Sequence, residues 1–142
     1  MTIGSDYPRP AGIAVISGIN LILSALLGLG AYLQLRHPHR ADGVYGPFVY
    51  VDVAVAAGLL LVAAGLFLGL RPFRRAARVF FYALALYEAL LALLVLTREL
   101  SAASAYGLVL AVILVFYLIG ARGYLNAPAA REFFGEAESA AD

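Results

Sequence analysis

The chain has 142 residues, 63% of them hydrophobic and 13% charged, with a mean hydropathy of +0.90 and a formal net charge of +1. A water-soluble domain carries about a quarter charged residues, so most of this surface must face something other than water; the near-neutral balance gives no basis for nucleic-acid binding. Cysteine is absent and all 10 basic residues are arginine, which excludes disulfides, thiolate chemistry, cysteine-held metal and Schiff-base lysines.

Residues 1–10, MTIGSDYPRP, hold Asp6, Arg9 and two prolines and read as an extended lead-in without the basic start or cleavage site of a secretory signal. Pro10 marks a helix start. The charge-free run 11–35 follows. At about 1.5 Å per residue it exceeds a hydrocarbon core of about 30 Å and is the first expected span. Residues 36–47, RHPHRADGVYGP, carry the proline, glycine and Asp-Gly signals of a loop. The second span is expected over 48–70, interrupted only by Asp52 near its start. A charged turn, 71–75, contains Arg71, Arg74 and Arg75, and the third span follows over 76–97. A short polar link, 98–104, offers Ser101 or Ser104 as N-cap for the fourth span, 105–121. In the tail, 122–142, Asn126 is a candidate cap for a short amphipathic helix starting near Ala127–Pro128 and ended by Gly135, with Phe133 and Phe134 against the membrane surface.

These elements predict an all-α polytopic membrane protein. Residues 1–121 form an antiparallel four-helix transmembrane bundle, followed by a short interfacial C-terminal helix in a cytoplasmic tail. Four spans place both termini on one side, together with Arg9, Arg71, Arg74, Arg75, Arg78, Arg122 and Arg131; only Arg36, Arg40 and Arg98 fall on the other. The positive-inside rule then puts both termini in the cytoplasm, the expected location being a prokaryotic inner membrane.

Helices in lipid associate through small residues. Ala14, Gly18, Ala25 and Gly28 form one such stripe, Ala54, Gly58, Gly65 and Gly69 a second, and Ala103, Gly107 and Ala111 a third. They predict a close bundle with the first two spans tightly paired, the alternative being that the stripes form a dimer face.

Glu88 lies well inside the third span, where a carboxylate is costly unless neutral, paired or facing a cavity. Ala85 and Ala92 share its face and direct it into the bundle. It is a candidate proton or cation site, or else a structural group bonded to a tyrosine or to Asn20. Asp52 is a candidate outer-side partner, and Asn20, mid-way along the first span, needs an interhelical hydrogen bond. Tyr87 adjoins Glu88 but points about 100° away. Tyr32, Tyr45, Tyr50, Tyr106 and Tyr124 read as an interfacial aromatic belt. Arg71, Arg74, Arg75 and Arg78 have a topogenic role and are candidates for contact with lipid headgroups. His37, His39 and Asp42 lie together in the first loop as a lower-ranked candidate for metal or small-molecule binding on the outer side, without a recognised metal-ligand spacing, and no histidine lies in a span to ligate haem. No serine- or cysteine-based catalytic set and no phosphate-loop or zinc-protease motif occurs. Neither enzymatic activity nor a cofactor is expected.

The run LRPFRRAARV between the second and third spans and YLNAPAAREFFG after the fourth resemble small prokaryotic four-span membrane proteins of unassigned function. That resemblance implies a fold and no activity. Four spans with a membrane carboxylate also resemble the small multidrug transporters, but their essential glutamate lies in the first span, where this chain has none. The expected function is that of a non-enzymatic structural or accessory membrane protein, with the bilayer and either itself or a larger membrane complex as partners. The alternative is a small proton- or cation-coupled transporter using Glu88.

Overall fold

The computed structural model of the chain describes residues 9–36, 48–97 and 102–135. Four long helices, α1 (Ala11–Arg36), α2 (Phe48–Phe67), α3 (Arg71–Leu96) and α4 (Ala102–Tyr124), are followed by a short one, α5 (Pro128–Phe133). No strand occurs among the described residues. Segments Ala11–Arg36, Val49–Phe67 and Arg71–Leu94 are long and apolar enough to cross a membrane, and Leu108–Tyr124 is a shorter apolar helix. Large side chains such as Leu26, Val79 and Phe116 are 62%, 72% and 72% exposed. Apolar surface on this scale suits lipid rather than water, and the chain is a membrane protein.

The helix ends follow local chemistry. The carbonyl of Pro10 accepts the N–H of Ile13 at 2.9 Å and so opens α1. At the end of α2, Gly69 takes φ +69°. The Leu70 N–H reaches the Gly65 carbonyl at 3.0 Å, and the Gly69 N–H reaches Leu66 at 3.1 Å. This is a Schellman closure, which a left-handed glycine permits. It stops α2 at Phe67, short of the expected residue 70, and lets α3 begin at Arg71.

The expected charged turn at 71–75 is therefore corrected: these residues are the first turn of α3. Pro72 is compatible because first-turn N–H groups have no partner inside the helix. Helix α4 is longer than the expected 105–121, so Ser104 lies within it and is not its N-cap; Ser101 lies outside the described residues. Asn126 does not cap α5. The cap is Ala127, held extended at φ −63° and ψ 148° without a side-chain bond, because the following proline disfavours helical backbone at that position. Gly135, at φ +68°, closes α5 as expected.

Helices α1 and α2 pack along their lengths, as do α3 and α4, while α2 meets α3 over a smaller area. Each pairing is antiparallel. Gly65 faces Phe73 and Gly58 faces Phe80 between α2 and α3, while Gly12 faces Tyr124 between α1 and α4. The core gathers Ile13, Leu59, Leu66, Phe81, Leu118, Leu125 and Phe134. Phe134 is 2% exposed, and Phe133 packs on that core with its ring near Gly69. The aromatic pair thus belongs to the interior and not, as expected, to the membrane surface. Gly135 turns the chain just after them, with the Arg71 side chain alongside.

The small-residue stripes are also corrected. On α1 the buried residues are Ile13, Ile16, Ser17, Asn20, Ser24 and Ala31, whereas Ala14, Gly18 and Ala25 are exposed. Gly58 and Gly65 do permit close approach, but by the phenylalanines of α3 instead of by α1. The side chains at Ala103 and at position 107 lie outside the described residues.

Candidate functional site

Three groups of polar side chains sit on this frame. The first is carried by α2 and α3, away from the arginine-rich end. Asp52, Tyr87 and Glu88 are each half-buried, and Asp52 lies close enough to act electrostatically on both Glu88 and Tyr87. The expected carboxylate pair is brought into one neighbourhood, and Tyr87 joins it despite pointing to a different side of α3. Angular separation on one helix does not prevent two residues from sharing a region when the neighbouring helix supplies the third group. A carboxylate within a helix apolar enough to cross a membrane needs a partner, a proton or water.

The second group lies between α1, α2 and α4. Asn20 is completely buried, and the Tyr117 hydroxyl donates to its Oδ1 at 3.0 Å or to the Ile16 carbonyl at 3.3 Å. Asn20 has the interhelical bond expected of it, with Tyr117 rather than Glu88 as partner. The Ser24 hydroxyl donates to the Ala56 carbonyl at 2.7 Å and ties α1 to α2. Ser17 Oγ and Asn20 Nδ2 are buried without a hydrogen-bond partner. Sequence reading missed the serines, although Ser17, Asn20 and Ser24 recur at helical spacing in an otherwise apolar span.

The third group is the arginines, which the structure separates. Arg74 is 1% exposed and donates from Nε to the Leu125 carbonyl at 2.7 Å. Arg71 lies against Gly135, Arg75 is exposed, and Arg78 is half-buried with Nε lacking a partner. Two arginines outside the expected cluster stack on aromatic rings: Arg9 over Phe67 at 3.7 Å and Arg122 over Tyr82 at 5.0 Å. Arg71, Arg74, Arg75 and Arg78, at i, i+3, i+4 and i+7, share one side of α3 by helical periodicity; their different burial comes from the neighbouring elements each one meets, which the run itself does not show.

Two apolar grooves accompany the helix pairs. One, of about 310 Å³, is lined by Ala14, Ser17, Gly18, Leu21, Leu60 and Phe67 with Ala63 and Ala64. The other, of about 320 Å³, lies between α3 and α4 around Ala92, Leu108, Ala111 and Phe116. Glu88 lines neither. No group of three histidine, cysteine or carboxylate side chains suited to a metal occurs among the described residues. His37, His39, Asp42 and Tyr45 lie outside them, as does the side chain of Tyr106. Of the remaining belt tyrosines, Tyr32 and Tyr50 are exposed while Tyr124 packs beside Gly12.

The chain matches no protein-family model, no curated protein and no solved structure. Its function is therefore to be sought in its own residues. Three interhelical bonds, from Ser24, Tyr117 and Arg74, end on the backbone or on Asn20 and lock helix to helix.

Proposed function

We propose that α1 to α4 cross the bilayer as an antiparallel four-helix bundle, with both termini cytoplasmic, and that the protein is a non-enzymatic structural or accessory membrane protein that associates laterally with itself or with a larger complex. The observation that carries this reading is the outward stripe of α1. Ala14 and Gly18 are exposed and line the groove with Ala64, and a Cβ added at Gly18 would meet nothing within 4 Å. In lipid, where apolar surface alone drives no association, helices dock where small residues let backbones approach. The interior polar bonds meanwhile serve cohesion of the chain.

The test is the oligomeric state in lipid nanodiscs or by crosslinking in native membranes. The parent protein is expected to assemble. Gly18→Leu, whose Cβ would meet open space and whose side chain would occupy the groove, is expected to weaken that assembly while changing the stability of the fold by no more than about 1 kcal/mol. A parent that is monomeric in both settings would sink the reading.

The second reading, a small proton- or cation-coupled transporter, is favoured by the shared neighbourhood of Asp52, Tyr87 and Glu88. Glu88→Gln in proteoliposomes separates the two. Transport predicts loss of proton-linked flux at unchanged stability; a structural role predicts lowered stability and no change in flux.

A further inference from the structure

At the arginine-rich end, the Tyr82 ring has one arginine a helical turn before it on α3 and a second stacked on it from α4. Among the described residues this end carries Arg9, Arg71, Arg74, Arg75, Arg78, Arg122 and Arg131, and the only carboxylate there is Glu132, exposed on α5. Three of these arginines are engaged by other parts of the fold. Arg74 is bonded to Leu125, Arg71 packs at Gly135 and Arg9 covers Phe67. Arg78 and Arg122 differ.

Arg78 is half-buried, and its Nε is out of water with no hydrogen-bond partner. A buried guanidinium donor left in that state is costly, and an acceptor oxygen relieves the cost. Tyr82 follows Arg78 by one helical turn, which places their Cβ atoms about 5–6 Å apart on the same face of α3. Helical side chains lean toward the N-terminus, so the Tyr82 ring lies back over the turn that bears Arg78. From α4, Arg122 sits with its Cζ 5.0 Å from the centre of that same ring. Tyr82 is 58% exposed and Arg122 is exposed, so this pair is reached from outside the bundle, with Arg78 half-buried behind it.

From this placement we propose that Arg78, Tyr82 and Arg122 form a binding site for a phosphate-bearing anion at the interface of α3 and α4. Each guanidinium presents planar N–H donors suited to phosphate oxygens, and the Tyr82 hydroxyl supplies a further donor. The ring holds Arg122 in place by cation–π attraction, so that little rotamer freedom is lost when the anion arrives. The unpartnered Nε of Arg78 gains the acceptor it lacks. Phosphate of this chemistry reaches the site either as the headgroup of an anionic lipid or as free phosphate from water. The proposal does not depend on lateral association or on transport.

The chain contains no tryptophan, so Tyr82→Trp gives a single fluorophore inside the site that also preserves the cation–π contact. This variant is titrated in phosphatidylcholine nanodiscs with phosphatidylglycerol, and separately with inorganic phosphate. A saturable fluorescence change is expected in at least one arm. A response to phosphatidylglycerol alone identifies the lipid as the source, and a response to inorganic phosphate identifies water. Adding Arg78→Gln or Arg122→Gln should weaken binding about fivefold each, as the loss of one interfacial charge predicts. Arg131→Gln, at the same end but outside the site, should leave it unchanged. Arg122 is exposed, so the Arg122→Gln arm holds even if Arg78→Gln fails to fold. The site is overturned if neither titrant changes the fluorescence, if Arg122→Gln binds as tightly as its parent, or if Arg131→Gln weakens binding equally and so reveals only diffuse charge.

Discussion

Arg74 shows how one arginine of a basic run becomes part of the interior. Its guanidinium is 1% exposed and bonds the Leu125 carbonyl at 2.7 Å, one residue beyond the end of α4. Carbonyls at a helix C-terminus lack N–H partners within the helix, and they carry the negative end of its dipole. A buried cation there satisfies an orphan acceptor and is stabilised by it. Arg74→Gln should destabilise the protein by about 2–3 kcal/mol, the scale of a lost hydrogen bond to a charged group. Exposed Arg131→Gln should stay within about 0.5 kcal/mol. Unfolding midpoints in mild detergent compare the two directly, and equal midpoints would deny Arg74 its structural part. Sequence alone cannot separate Arg74 from Arg75. Both are arginines in one basic run, and only the neighbouring end of α4 makes one of them a buried donor.

At the scale of elements, the contact between α2 and α3 depends on missing side chains. Gly65 lies under the Phe73 ring, and an added Cβ at Gly58 would come within 2.7 Å of Phe80. Gly65→Ala should cost about 1–3 kcal/mol by overpacking, with part of that loss recovered when Phe73→Leu is added. Gly18→Ala on α1 meets open space and should be neutral or stabilising by up to about 1 kcal/mol through helix propensity. A chemical unfolding series on these variants checks both directions; a neutral Gly65→Ala would contradict the packing. The glycines were visible in the sequence as candidates for close approach, but their partners were not. Around Gly58 and Phe80 the facing helices are apolar on nearly every side, so polarity does not point one toward its neighbour as it does in water. Helix α5 teaches the same lesson: FF in a short tail helix is equally compatible with a lipid surface and with a core, and the turn at Gly69 provides the place that receives it.

For the whole molecule, the described contacts gather the start of α1, the turn between α2 and α3, the end of α4 and all of α5 at one end, through Arg9 on Phe67, Arg71 at Gly135 and Arg74 at Leu125. The arginines concentrate there, and the proposed orientation places that end in the cytoplasm. Because the chain has no cysteine, single substitutions report topology without background. Glu132→Cys should react with a membrane-impermeant maleimide only after the cells are opened, and Arg40→Cys should react in intact cells. The reverse pattern would invert the orientation.

What the sequence determines here are properties that add up locally: the number and length of apolar runs, the charges between them, and the glycines and prolines that stop helices. Helix ends came within a few residues of the expected ones because the glycines, prolines and polar stretches that stop a helix act locally. Which side of each helix faces inward was decided only by tertiary structure. It turned Ala14 and Gly18 outward, drew Arg74 and Phe134 inside, gave Tyr117 to Asn20 and brought Tyr87 beside the two carboxylates. In a medium as apolar as the core, the rotation of a helix is set by shape and by a few hydrogen bonds between residues far apart in the chain, and neither is written into any single segment.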